Sequence, residues 1–310
     1  MKIVLLDKDT LGDDVDLSCF ETFGTVTSYP YTTPDQTLQR IQDADIVVTN
    51  KVVIDKALMQ QANLKLICVA ATGMNNIDLD YAKEIGLPVK NVAGYSTPSV
   101  VQTTFAMALH FMNNIMYFDN YTKSDKGWVK SPIFTHLEHP YSDLEEKTWG
   151  IIGLGTIGKK VAQIAEAFGA NILYYSTSGT NRDSDFQRTT LDDLLSTSDI
   201  ISIHAPLNQK TYNLLNKNNL SLLKDNAILL NLGRGGIINE KDLAVHIDNS
   251  NIQVALDVLE YEPIREDNPL RFVKAQDRLL ITPHIAWASK QSRERLVKGI
   301  CKNIKNTIGE

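Results

Sequence analysis

Near mid-chain, Gly153-Leu154-Gly155-Thr156-Ile157-Gly158 follows the β-branched run 148–152 and opens a segment of helical spacing that closes on Gly169. A GxGxxG pattern alone discriminates poorly, but between a strand and a helix it predicts the turn that cradles a dinucleotide. Each glycine has a physical task. Gly153 permits the tight turn, Gly155 lets a pyrophosphate approach the backbone, and Gly158 lets helix and strand pack closely, with the phosphates at the helix N-terminus, where N–H groups lack partners. This half of the chain is therefore expected to be a parallel α/β sheet of the Rossmann kind.

The flanking pattern agrees. Short β-branched runs at 171–175, 199–204, 227–231, 252–258 and 278–282 continue the set that begins at 148, and a separate set at 2–6, 45–49, 66–70 and 89–92 alternates with helical spacing at 34–41 and 56–62. Alternation of this kind implies parallel sheets, and 310 residues suffice for two cores. The segment 99–118, entered through Thr97-Pro98, reads as one helix bridging the two. Residues 121–147 lack periodicity and read as an extended arm, whereas 286–308 has helical spacing and is expected to return to the first domain.

Composition excludes several classes. The net charge is −6 with no basic run, so the chain is not expected to bind nucleic acid. No apolar stretch approaches the roughly 20 residues that span a bilayer, and residues 1–7 are too short an apolar start for a signal peptide; a cytoplasmic protein is expected. Cys19, Cys68 and Cys301 are an odd, scattered set, which argues against a disulfide framework and for a reducing compartment. The six histidines are dispersed, and no metal is expected.

The strand 171–175 runs out into Ser176-Thr177-Ser178. An Asp or Glu there would bond the 2′-hydroxyl of NAD; its absence leaves NAD and NADP both open, with Ser176 as the residue that meets the ribose. The lack of Arg or Lys directly after the strand leans the reading to NAD, although Arg182 is near enough in sequence to serve a phosphate.

Three later strand ends carry polar residues where ligands of open α/β sheets bind: Asn231-Leu232-Gly233-Arg234-Gly235-Gly236, Asp257-Val258-Leu259-Glu260-Tyr261-Glu262-Pro263 and Thr282-Pro283-His284. With these segments the chain closely resembles the D-isomer-specific 2-hydroxyacid dehydrogenase family over nearly its whole length. The glycine motif at mid-chain counts against L-lactate and malate dehydrogenases, which open with their nucleotide domain. The resemblance implies a Rossmann NAD(P)-binding domain, 99–284, inserted in a flavodoxin-like substrate-binding (catalytic) domain, 1–98 plus 285–310, with 99–147 supplying a dimerisation helix and arm of a homodimer.

It further implies Arg234 as catalytic arginine, Glu262 as acid partner and His284 as proton donor. Asp257 would meet the nicotinamide carboxamide, Leu232 and Gly233 would lie beside the cofactor, and His204-Ala205-Pro206 would wall the adenine pocket. The chemistry needs these types. A proton must reach the carbonyl oxygen as hydride reaches carbon, a carboxylate beside the imidazole favours its charged form, and a guanidinium fork suits a carboxylate. Backbone groups of Ala71, Thr72 and Gly73, with Tyr95 and Arg234 and His284, would hold the substrate.

Asn75-Asn76-Ile77-Asp78 and Gly94-Tyr95-Ser96-Thr97-Pro98 look most like the glycerate dehydrogenase, or hydroxypyruvate reductase, branch. That implies hydroxypyruvate or glyoxylate reduced to D-glycerate or glycolate. The alternatives are a D-lactate-type dehydrogenase and, from a different class, a dinucleotide-sensing, corepressor-like binding protein.

Overall fold

The computed structural model describes residues 1–183 and 185–309. The chain divides into two compact units, Met1–Pro98 with Trp287–Glu310, and Ser99–Ala286. The second is an insertion in the first, and the return crossing falls two residues beyond the expected 284/285 boundary.

The first unit carries β1 (Lys2–Leu5), β2 (Thr25–Ser28), α1 (Pro34–Ile41), β3 (Ile46–Thr49), α2 (Lys56–Gln61), β4 (Leu66–Val69), α3 (Leu79–Glu84) and β5 (Val89–Lys90). Its strands are all parallel, in the order β2-β1-β3-β4-β5, which is the flavodoxin-like order. Both faces are covered, so β3 and β4 read as unbroken apolar runs rather than alternating ones. Successive side chains point to opposite faces. Ile46, Val48, Leu66 and Cys68 therefore join one core with Leu296, Val297, Ile300 and Ile304 of the C-terminal helix, while Val47, Ile67 and Val69 join the other with Ile41, Met59 and Ala82 from α1 to α3. Full burial of each such side chain contributes about 1.5–3 kcal/mol. Helix starts are set locally: Asp55 accepts from Leu58 N at 2.9 Å and Asp78 from Tyr81 N at 3.0 Å.

One expectation is overturned here. Cys19, in a 3-10 turn at Ser18–Phe23, is disulfide-bonded to Cys301 in the C-terminal helix, with Cα atoms 6.5 Å apart. An odd count only guarantees one unpaired cysteine, and that one is Cys68, buried in β4. Cysteine usage therefore gives no support to a reducing compartment.

The second unit opens with α4 (Thr97–Asn113) and α5 (Ile115–Lys123), followed by β6 (Thr148–Ile152), α6 (Thr156–Ala167), β7 (Asn171–Tyr175), β8 (Gln187–Arg188), α7 (Leu191–Thr197), β9 (Ile200–Ile203), β10 (Ile228–Asn231), α8 (Glu240–Asn249), β11 (Gln253–Leu256) and β12 (Leu279–Ile281); the C-terminal helix is α9 (Lys290–Ile308). The single helix expected over 99–118 is two, because Asn114 takes the left-handed conformation at φ 50°. Asparagine tolerates that region better than most residues. The seven strands are parallel in the order β12-β11-β10-β9-β6-β7-β8. Strand order reverses between β6 and β9, and crevices of such sheets form at that switch, at the carboxyl ends of the strands. The chain is thus an α/β protein with two doubly wound parallel sheets, a Rossmann unit inserted in a flavodoxin-like one. No helix among the described residues is long and apolar enough to cross a membrane.

Candidate active site

The switch point is where the glycine motif lies. Gly153 leaves β6 with φ +95°, and a Cβ there would sit 2.9 Å from the backbone N and Cα of Ala205, which follows β9. A Cβ on Gly158 would collide with the Gly153 carbonyl, so α6 and β6 pack closer than any side chain allows. A Cβ on Gly155, by contrast, would meet nothing within 4 Å. That open side faces the start of α6, whose first turn carries Thr156, exposed, and Ile157, half-buried. Space at the middle glycine and unpaired N–H groups beyond it fit a pyrophosphate.

Beside this turn lies a cavity of about 610 Å³, bordered by Gly153, Gly155, Ser176, His204, Pro206 and Lys210. Ser176 is buried, and its Oγ accepts from Asn181 N at 3.3 Å. His204 pairs through Nε2 with Ser202 Oγ at 3.0 Å, and Ser202 Oγ accepts from Trp149 Nε1 at 2.9 Å. Burial pushes the His204 imidazole down to about 3, which keeps it neutral at any physiological pH and unsuited to proton transfer. Arg182 borders a different cavity, of about 920 Å³, with Tyr174 and Tyr175 of β7, Asp183 and Arg188, and does not border the cavity beside the glycine turn.

The three acid–base and charge-bearing residues come together at the neighbouring strand ends of the same unit. Glu262 Oε2 lies 2.7 Å from His284 Nδ1, and Glu262 Oε1 accepts from Leu259 N at 3.0 Å. His284 is non-glycine at φ 54°, with its N–H donating to Thr282 O at 2.9 Å. Arg234 is exposed in the turn after β10, which Asn231 clamps: its Nδ2 donates to Arg234 O at 2.9 Å and its Oδ1 accepts from Gly233 N at 3.1 Å. Arg234 Nη1 donates to Gly233 O at 2.8 Å, and Leu232 and Gly233 are buried in that turn. Any side chain at Gly235 would collide with Leu259 O, so the turn after β10 presses on the one after β11 that carries Glu262.

Asp257, expected to meet the nicotinamide carboxamide, is held by its own segment and its neighbours. It is 2% exposed; Oδ1 accepts from Thr282 Oγ1 at 2.6 Å and Ile285 N at 2.9 Å, and Oδ2 from Ala286 N at 2.9 Å. Burial pushes its carboxyl up, and these donors pull it back. The geometry makes it an anchor for the segment that presents His284.

In the first unit, the turn after β4 holds Ala71 and Gly73 half-buried and Thr72 exposed. Asn91 Nδ2 donates to Thr72 O at 2.5 Å and Val92 N to Ala71 O at 3.2 Å. Tyr95 is buried, its ring edge-on to Trp287 at 6.1 Å and its carbonyl accepting from Arg295 Nε at 2.8 Å; its apolar surface is spent on the core. Asn181 and Lys210 escape sequence reasoning, and Asn231 enters it only as part of a polar strand end, without its clamping role. Asn231 carried a signal, an amide at a strand end before a Gly-Arg-Gly turn, while Lys210 lies 34 positions from Ser176 (210 − 176), and only the fold joins them. Among the described residues no cluster of His, Cys, Asp and Glu could hold a metal ion.

The family model described as "D-isomer specific 2-hydroxyacid dehydrogenase, NAD binding domain" matches residues 105–286, more than half of the chain. The chain is 36% identical to a hydroxypyruvate reductase of Blautia hydrogenotrophica, over 99% of this chain and 97% of that one. It is 33% identical to a glycerate dehydrogenase of Methylorubrum extorquens, over 98% and 95%. Among solved structures it resembles D-lactate dehydrogenase from Aquifex aeolicus complexed with NAD and lactic acid, with TM-score 0.84, 26% identity, and 99% and 95% of the two chains covered.

Proposed function

We infer that this chain, which belongs to the D-isomer-specific 2-hydroxyacid dehydrogenase family and is an NAD(P)-dependent oxidoreductase, reduces hydroxypyruvate to D-glycerate and glyoxylate to glycolate. The observation that carries the reading is the His284–Glu262 pair at 2.7 Å, placed on adjoining strand ends with Arg234 and the glycine turn. The relatives named for hydroxypyruvate reduction and glycerate oxidation support the substrate class.

In the proposed reaction the nicotinamide, when bound, supplies the hydride that reaches the carbonyl carbon. His284 gives a proton from its outer nitrogen to the carbonyl oxygen as negative charge gathers there, and regains one from solvent. Glu262 orients the ring through Nδ1 and stabilises its charged form. Arg234 offers donors to the substrate carboxylate and carbonyl, fixing orientation and offsetting the developing charge. Backbone N–H groups of Ala71, Thr72 and Gly73 take the carboxylate. Gly153, Gly155, Thr156, Ile157 and Gly158 take the pyrophosphate, Ser176 the ribose, and His204, Ala205 and Pro206 the adenine. Use of a nicotinamide pool is consistent with the cytoplasm, and the exposed apolar arm supports a homodimer.

Oxidation of NADH and NADPH with hydroxypyruvate, glyoxylate, pyruvate and phenylpyruvate tests the reading. Turnover of the first two well above the others, with D-glycerate as the product of the first, is the expected result. Preference for pyruvate would make the chain a D-lactate-type enzyme. Dinucleotide binding without turnover of any of the four would overturn the catalytic reading.

A further inference from the structure

We propose that the end of β7, together with Lys210, forms a subsite for the 2′-phosphate of NADPH, so that the chain prefers NADPH to NADH. The inference rests on the reading of the glycine turn as a dinucleotide site and deepens it. It runs against the lean to NAD drawn from sequence, because the deciding cation is absent from the sequence neighbourhood of the strand.

The cavity beside the glycine turn is bordered by three consecutive hydroxyl residues after β7, Ser176, Thr177 and Ser178, and by Lys210. None of the described residues bordering it is acidic. An NAD-selective site gains its selectivity from a carboxylate that accepts from the ribose 2′-hydroxyl and repels a phosphate in the same place. Here the nearest carboxylates in sequence are engaged elsewhere: Asp183 pairs with Lys159 at 2.8 Å, Asp185 with the same lysine at 3.1 Å, and Asp183 borders the other cavity. Lys210 is exposed and has no carboxylate partner among the described residues. Its backbone is fixed, N donating to Asn208 Oδ1 at 2.9 Å.

The loop after β7 is fixed too. Asn181 Nδ2 donates to Leu154 O at 2.5 Å, tying the segment after β7 across the glycine turn, and Asn181 N donates to Ser176 Oγ at 3.3 Å. Ser176 Oγ also pairs with Ser178 Oγ at 3.4 Å, a long contact between two hydroxyls that both border the cavity. Hydroxyl donors and an ammonium suit a dianionic phosphate, whereas the neutral 2′-hydroxyl of NADH would gain no ion pair with Lys210.

Equilibrium binding of NADPH, NADH, adenosine 2′,5′-bisphosphate and 5′-AMP, measured calorimetrically on the intact protein, tests the proposal. NADPH is expected to bind about tenfold or more tightly than NADH, with the bisphosphate exceeding 5′-AMP in the same sense, and the advantage is expected to shrink with added salt. Lys210→Ala should remove most of that preference by weakening NADPH while leaving NADH affinity within about twofold, and Lys210→Arg should restore it. Thr177→Asp should reverse the preference without touching the glycine turn. Equal affinity of the wild-type chain for both dinucleotides, or parallel losses for both in Lys210→Ala, would overturn the subsite. Failure to bind either dinucleotide would overturn the underlying dinucleotide reading as well.

Discussion

The pair His284 and Glu262 is held at both ends. Leu259 N fixes the second oxygen of the carboxylate, and the three donors on Asp257, from Thr282, Ile285 and Ala286, fix the segment on either side of the ring. A non-glycine residue at φ 54° is strained by about 1–3 kcal/mol and persists only where its surroundings over-determine it; here Asp257 supplies that restraint. His284→Ala should therefore lower turnover by about 10²–10⁴-fold while leaving the dissociation constant of the dinucleotide unchanged, as read by fluorescence titration; a near-normal rate would remove His284 from proton transfer. Asp257→Asn should act by another route. Its amide would turn a donor toward the N–H of Ala286 or Ile285, costing about 1–3 kcal/mol, so both the melting temperature and turnover should fall. A variant that loses turnover at full stability would assign Asp257 to cofactor contact instead. At this scale the sequence was informative where a chemical type sat at a strand end beside glycines, as with Arg234 and His284. It was silent on Lys210, whose place depends on how the chain after β9 comes back to the end of β7.

Elements were legible where burial was two-sided. β3, β4 and β10 are short, wholly buried and mainly apolar runs, which marks them as central strands but leaves their register unread, because a one-residue slip would keep both faces apolar. β2, Thr-Val-Thr-Ser, is an edge strand with no buried residue, so its pattern matches a loop as well as a strand. β8, two residues long, carries no period at all. The α4–α5 break rests on one asparagine in a run that otherwise favours continuation. The Cys19–Cys301 bond likewise could not be read from spacing, since 282 positions separate the two. It ties the turn Ser18–Phe23 to α9, whose Leu296 and Ile300 fill the same core. Burial also pushes the Cys68 thiol up to about 12, so at pH 8 the folded chain holds it as an unreactive thiol, and thiolate would form only as pH rises toward that value. Thiol titration at pH 8 should accordingly find none in the native unreduced protein, one after denaturation and three after denaturation with reductant. Reduction should also lower the melting temperature, by the loss of about 2–5 kcal/mol. Three thiols in denatured, unreduced protein would show that the two cysteines are not bonded.

For the molecule as a whole, the arm that follows α4 is the part its own unit leaves uncovered. Val129 is 74% exposed, Phe134 88% and Leu137 76%, and Ile115 and Met116 on α5 are more than half exposed. Single exposed apolar residues are ordinary, but a run of them within one segment is a surface awaiting a partner. The segment is not featureless: Tyr121 stacks on His136 at 3.9 Å, Tyr117 on His139 at 4.0 Å, and Tyr117 Oη pairs with His136 Nε2 at 2.9 Å. Those stacks give the apolar side chains a fixed backing, which favours docking over disorder. A second copy of the chain would satisfy the surface by symmetry, since the same patch would be presented by both partners. Light scattering at micromolar concentration should thus report twice the chain mass of 34.6 kDa. Phe134→Asp with Leu137→Asp, which would bury two charges at such an interface, should shift the mass to that of one chain while dinucleotide affinity is retained, because neither residue borders the glycine-turn cavity. A wild-type mass of one chain would remove the homodimer; a double variant that stays dimeric would move the interface off the arm.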